Sequence, residues 1–104
     1  MRLELTHANR TITIERGELL FGRTAELVVG AGNQFVHRTM GRFVHQNSCW
    51  WVENRATHLP ITVTSYDGTR VELAARSTTG NFPLTAVVAE RFTVRFSAGG
   101  VTYE

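Results

Sequence analysis

With 104 residues, 42% of them apolar and 19% charged, the chain has the composition of one globular domain around a single core, and not that of a disordered segment. A single cysteine excludes an internal disulfide and a cysteine-rich zinc site, and apolar runs such as Ala86 to Ala89 fall far short of the about 20 residues that span a bilayer. The formal charge is only +2 and all 11 basic side chains are scattered arginines, so no basic run points to nucleic acid.

The N-terminal Met1 to Arg10 alternates apolar and polar residues where a secretory signal would carry an apolar block. A cytoplasmic location is therefore expected. Alternating, β-branched or aromatic runs predict strands over Leu3 to Thr6, Thr11 to Glu15, Glu18 to Phe21, Leu27 to Val29 and Arg42 to His45. They continue over Cys49 to Glu53, Ile61 to Tyr66, Arg70 to Leu73, Arg91 to Phe96 and Val101 to Tyr103. Turn residues separate them at Ala8-Asn9, Arg16-Gly17, Gly30 to Asn33, Gln46 to Ser48, Asp67-Gly68 and Ala98 to Gly100, and Asp67-Gly68 is the strongest hairpin signal. Residues 75–83 form the longest stretch without a strand pattern and read as a loop.

Ten or eleven short strands in one small domain predict an all-β fold, a two-sheet antiparallel β-sandwich, because one sheet of that size would leave apolar faces wet. Within Arg91 to Phe96, the alternation sends Phe92, Val94 and Phe96 to one face and Arg91, Thr93 and Arg95 to the other. The same rule sends Trp50 and Trp51 to opposite faces, one into the core and one outside or beneath a loop. Cys49, beside these rings, reads as a buried thiol. The closing Val101 to Glu104 ends on a strand signal with no polar tail, the pattern of a module within a longer protein.

The order of Phe21-Gly22-Arg23, then Val36-His37-Arg38-Thr39-Met40, then the run from Trp50 to Pro60 resembles a forkhead-associated (FHA) domain. That family shows a glycine-arginine pair ending an early strand and a Ser-Arg-x-His motif about a dozen residues on. An aromatic strand then leads into an acidic residue and a Ser-x-Asn-Gly turn. Gly22, Arg23, Arg38 and Thr57 match those motifs in place. His37 stands where the family has serine, Met40 where it has histidine, and Leu59 and Pro60 where it has the asparagine and glycine.

The family binds phosphothreonine peptides through loops at one end of the sandwich. The resemblance thus implies a partner-binding site at Arg23, His37, Arg38 and Thr57, with guanidinium and hydroxyl donors facing a phosphate. His37 would donate twice, and carry charge, only below its pKa, so retained phosphate binding should tighten on acidification. Leu59 has no amide for a peptide backbone, and Pro60 cannot adopt the positive φ open to glycine, so the third loop must take another shape. Met40 can fill the space of the family's histidine but leaves the loops held by packing. The plainer alternative pairs Arg23 with a carboxylate such as Glu26 and leaves Arg38 solvated.

No spacing among His7, His37, His45 and His58 suits a metal, Asp67 belongs to a turn, and Ser48, Cys49 and His45 do not form a nucleophile and base in register. The expectation is a non-catalytic protein-interaction module without cofactor or metal, its phosphothreonine recognition altered or lost. A true phosphothreonine reader is the first alternative. A nucleic-acid-binding β domain is the lesser one.

Overall fold

The computed structural model describes residues 2–15, 17–46, 49–76, 83–87 and 91–104. Among them lie eleven strands: β1 (Leu3–His7), β2 (Arg10–Ile14), β3 (Glu18–Gly22), β4 (Leu27–Val28), β5 (Gly41–Gln46), β6 (Cys49–Asn54), β7 (Ile61–Ser65), β8 (Arg70–Leu73), β9 (Leu84–Val87), β10 (Phe92–Ala98) and β11 (Val101–Tyr103). Ten follow the predicted runs to within about two residues. The exception is β9, where an apolar run without alternation carries no period-two signal and pairing with β6 defines the strand. Arg16, Asn47, Ser48, residues 77–82 of the predicted loop, and Val88 and Ala89 lie outside the described residues.

Among the described residues the elements are all β-strands. A five-stranded sheet has the order β4-β3-β5-β6-β9, a four-stranded sheet the order β11-β10-β7-β8, and β1 with β2 forms a separate hairpin. Every pairing is antiparallel except β3 with β4, where Phe21 faces Leu27 and Gly22 faces Val28 in parallel. The expectation of wholly antiparallel pairing is corrected at that point. The chain curls back at Gly22, whose carbonyl accepts the Val29 N–H at 2.9 Å.

Turn chemistry sets the registers. In the β1–β2 hairpin Ala8 and Asn9 have φ of 49° and 68°, the double positive φ of a type I′ turn, which closes His7 against Arg10. At β7–β8 the Ser65 carbonyl accepts the Gly68 N–H, Gly68 takes φ 92°, and Asp67 Oδ1 accepts the Thr69 N–H at 2.9 Å. Here a three-residue bulged turn makes the predicted hairpin.

Both sheets feed one buried cluster. Leu19, Phe21, Phe43, Trp50 and Val52 come from the five-stranded sheet, and Ile61, Val63, Leu73, Phe96 and Ala98 from the other. The ring centroids of Phe21 and Phe43 lie 5.1 Å apart, and those of Phe43 and Phe92, which join the two sheets, 6.3 Å. Each large side chain so buried stabilises the fold by about 1.5–3 kcal/mol. Trp50 is buried, whereas Trp51 is half-buried on the opposite face and its Nε1–H donates to the Gln46 carbonyl at 3.0 Å. Cys49 is half-buried, not buried as the sequence suggested, because β6 begins there at the sheet's rim.

That opposite face carries an ionic ladder. Arg42 donates to Glu18 at 2.8 Å and to Glu53 at 3.2 Å, and Arg55 donates to Glu53 at 3.1 Å. Glu53 is a buried carboxylate, and its two arginine partners offset the cost of desolvating it.

Candidate functional site

Three loops emerge from one end of the five-stranded sheet because β3, β5 and β6 share a cross-strand row, Phe21 opposite Gly41 opposite Asn54. Residues 23–26 follow that row, residues 29–40 precede it, and residues 55–60 leave it. Backbone hydrogen bonds clamp the loops together. The Met40 N–H donates to the Phe21 carbonyl at 2.7 Å, the Arg23 N–H to His37 at 3.0 Å, the Thr24 N–H to Arg38 at 3.2 Å, and the Arg55 N–H to Met40 at 3.0 Å.

Gly22 permits this approach. A Cβ there would collide with the Arg38 carbonyl oxygen and lie 2.7 Å from the Met40 nitrogen, and both neighbours are backbone. The glycine of the Gly22-Arg23 pair is thus explained by loop contact, independently of any ligand.

Arg23 is half-buried, and its Nε–H donates to the Val36 carbonyl at 2.9 Å. It makes no ion pair among the described residues, so the alternative pairing with Glu26 is not formed. His37 is half-buried, with its ring centroid 6.0 Å from that of His58. Burial holds its pKa below the usual 6.5, and the neighbouring His58 and Arg23 push it the same way. His37 Nδ1 is buried without a partner among the described residues. Arg23, His37 and His58 therefore form a basic cluster in which a proton on His37 is disfavoured.

Arg38 is exposed and its side chain has no partner among the described residues, while Thr57 is half-buried on the third loop, next to His58. Of the sequence-predicted site residues, Arg23 and His37 are brought together. Arg38 shares their clamp through its backbone, and no described contact joins the Thr57 hydroxyl to them. Met40 is fully buried in the core, Leu59 packs half-buried against it, and Pro60 is exposed.

The residue that sequence reasoning missed is Asn54. It is fully buried, and its Nδ2 amide donates to the carbonyls of Leu59 at 2.9 Å, Leu73 at 2.9 Å and Ala74 at 3.2 Å. Its Oδ1 accepts the Ala56 N–H at 2.8 Å. One side chain thus ties the third loop to its own strand and to the end of β8. The signal was in the alternation: Trp50 and Val52 point inward, and Asn54 is next on that face. An asparagine at an inward position must find partners.

Among the described residues, no group of three or more His, Cys, Asp or Glu could hold a metal ion, and no helix is long and apolar enough to cross a membrane. Comparison with models of known protein families, with curated proteins and with solved structures finds no match.

Proposed function

We propose that this chain is a non-catalytic protein-interaction module, an FHA-like β-sandwich that recognises a protein or peptide partner through its three clamped loops with an altered phosphothreonine site. The observation that carries this reading is the clamp itself. It sets Arg23 and His37 side by side at the sheet end and leaves Arg38 exposed on the same loop as His37. These groups suit an acidic or phosphorylated partner segment.

The third loop argues for altered specificity. Leu59 presents to its surroundings a side chain packed on the core and a carbonyl already bonded to Asn54. It has no side-chain donor with which to grip a peptide backbone.

A second reading, a phosphothreonine-peptide receptor, is favoured by the unpartnered His37 Nδ1 and by the lack of an ion pair at Arg23 among the described residues. Isothermal titration with phosphothreonine peptides and their unphosphorylated twins separates the two. Comparable binding of both peptide forms, weakened by Arg23→Ala, supports the interaction module. Strictly phosphate-dependent binding lost in Arg23→Ala and Arg38→Ala establishes the receptor instead, and no binding to either set by the wild type counts against both.

A further inference from the structure

Phe35 stands 59% exposed on the loop that carries His37 and Arg38, with its ring against the β10–β11 turn. We propose, resting on the reading of this end as a partner-binding surface, that Phe35 and Val101 form an apolar ledge beside the basic residues Arg23, His37 and Arg38. Ledge and basic residues together take an extended segment of a partner polypeptide that carries an acidic side chain and, two to four residues from it, a large apolar one.

An exposed phenylalanine by itself means little. This one is held in place. The Phe35 N–H donates to Asn33 Oδ1 at 3.0 Å and the Val36 N–H to the Asn33 carbonyl at 3.1 Å. Asn33 Nδ2 in turn donates to the Ala98 carbonyl at 3.1 Å and to the Tyr103 hydroxyl at 2.9 Å, which fastens the loop to both strands of the β10–β11 hairpin. Val36, next in sequence, is buried in the core.

Gly99 supplies the seat. A Cβ there would lie 2.5 Å from Phe35 Cδ2 and 3.2 Å from its Cγ and Cε2, so one edge of the ring fills the space that a side chain would take. The rest of the ring faces water. Such an aromatic surface is ordered before any partner arrives, and the ordering cost that weakens flexible contacts is small. Val101, 48% exposed, pairs with Ala98 across the turn and extends the apolar surface past Gly99 and Gly100. From Val101 the strand leads away from the ledge, toward Tyr103 opposite Phe96.

Charge complementarity sets the rest of the partner. Along residues 23–40 the charged side chains are Arg23, Glu26 and Arg38, with His37 beside them and His58 against His37, whereas Ala98 to Val101 carry no charge. One part of the surface is thus net positive and the other neutral and apolar, which selects an acidic and an apolar side chain within one segment. Phe35 and Arg38 are three residues apart, so their Cα atoms lie no more than about 11 Å from each other, and an extended guest advancing about 3.3 Å per residue bridges that gap in two to four residues.

The test is selection of random decapeptides displayed on phage against the intact chain and against Phe35→Ser, which alters an exposed side chain and should leave folding intact. The wild type should enrich peptides with Asp or Glu two to four residues from Leu, Ile, Phe or Met, and Phe35→Ser should keep the acidic preference and lose the apolar one. An enriched peptide, synthesised and titrated, should bind the wild type at least about tenfold more tightly than its twin with the apolar residue changed to serine, and Phe35→Ser should bind both alike. Tyr66→Ser, which removes an exposed aromatic next to the β7–β8 turn at the far end of the sheet, should behave as wild type. Should Phe35→Ser fail to fold, NMR on unaltered protein decides, with shifts at Phe35, Gly99 and Gly100 moved by the parent peptide and not by its serine twin. Acidic enrichment without an apolar companion, equal binding of the twins, or unmoved shifts overturns the ledge and leaves the interaction module standing. No enrichment by the wild type overturns both. Dimerisation of the wild type that Phe35→Ser abolishes also overturns the proposal, since the ledge then seats a second copy.

Discussion

Removing the Asn54 amide tests whether one buried side chain holds the loop end together. In Asn54→Ala, the carbonyls of Leu59, Leu73 and Ala74 lose a donor and the Ala56 N–H loses its acceptor. A hydrogen bond nets about 1 kcal/mol, and a buried polar group left without a partner costs about 1–3 kcal/mol. The Ala56 N–H and the Leu73 carbonyl are the groups least able to recruit water, since both residues are buried. The expected loss is about 3–5 kcal/mol, a large part of the about 5–15 kcal/mol that holds a domain together. For a chain of this size that lowers Tm by about 15–30 °C, read by circular dichroism and checked by urea unfolding. Asn54→Asp keeps the shape but turns the donor into a buried carboxylate, so at neutral pH it should be no milder, and acid should rescue it in part. A loss below about 1 kcal/mol in Asn54→Ala, or an unperturbed Asn54→Asp at neutral pH, would refute the assignment.

Two further outcomes follow from the same loops. Gly22→Ala should destabilise by at least about 1–3 kcal/mol in urea unfolding, because the new methyl meets the backbone of Arg38 and Met40 and the loop clamp must open. His37, whose pKa is held below 6.5, binds a proton more readily in the unfolded chain, so its contribution to stability is complete above about pH 6.5 and is lost as the pH falls through its folded value. Unfolding measured from pH 7.5 to pH 5 should show that decline, flattened in His37→Gln. An identical slope in the variant would assign the decline to another group.

Alternation made most of the fold legible. The inward and outward faces of β10 follow the sequence residue by residue, with Arg91, Thr93 and Arg95 exposed opposite Phe92, Val94 and Phe96. What local pattern does not encode is pairing. The parallel contact of β3 with β4, the strand β9 and the standing of β1 and β2 as a hairpin apart from the larger sheets all depend on which segments meet. The candidate site divides likewise. Gly22 and Arg23 stand out as a motif, and His37 as a departure from one, but the nearness of His58 depends on two loops that are distant in sequence. Asn54 was legible by position on its strand and concealed by its type, since asparagine at a strand end reads first as a turn residue.

The ladder of Glu18, Arg42, Glu53 and Arg55 decides how this molecule meets others. Its charges are mutually neutralised across β3, β5 and β6, so an ionic ligand finds little unbalanced field there. An oily surface laid over the same place would shut water away from the arginines and strip hydration they still enjoy. That flank is therefore a poor seat for either kind of visitor.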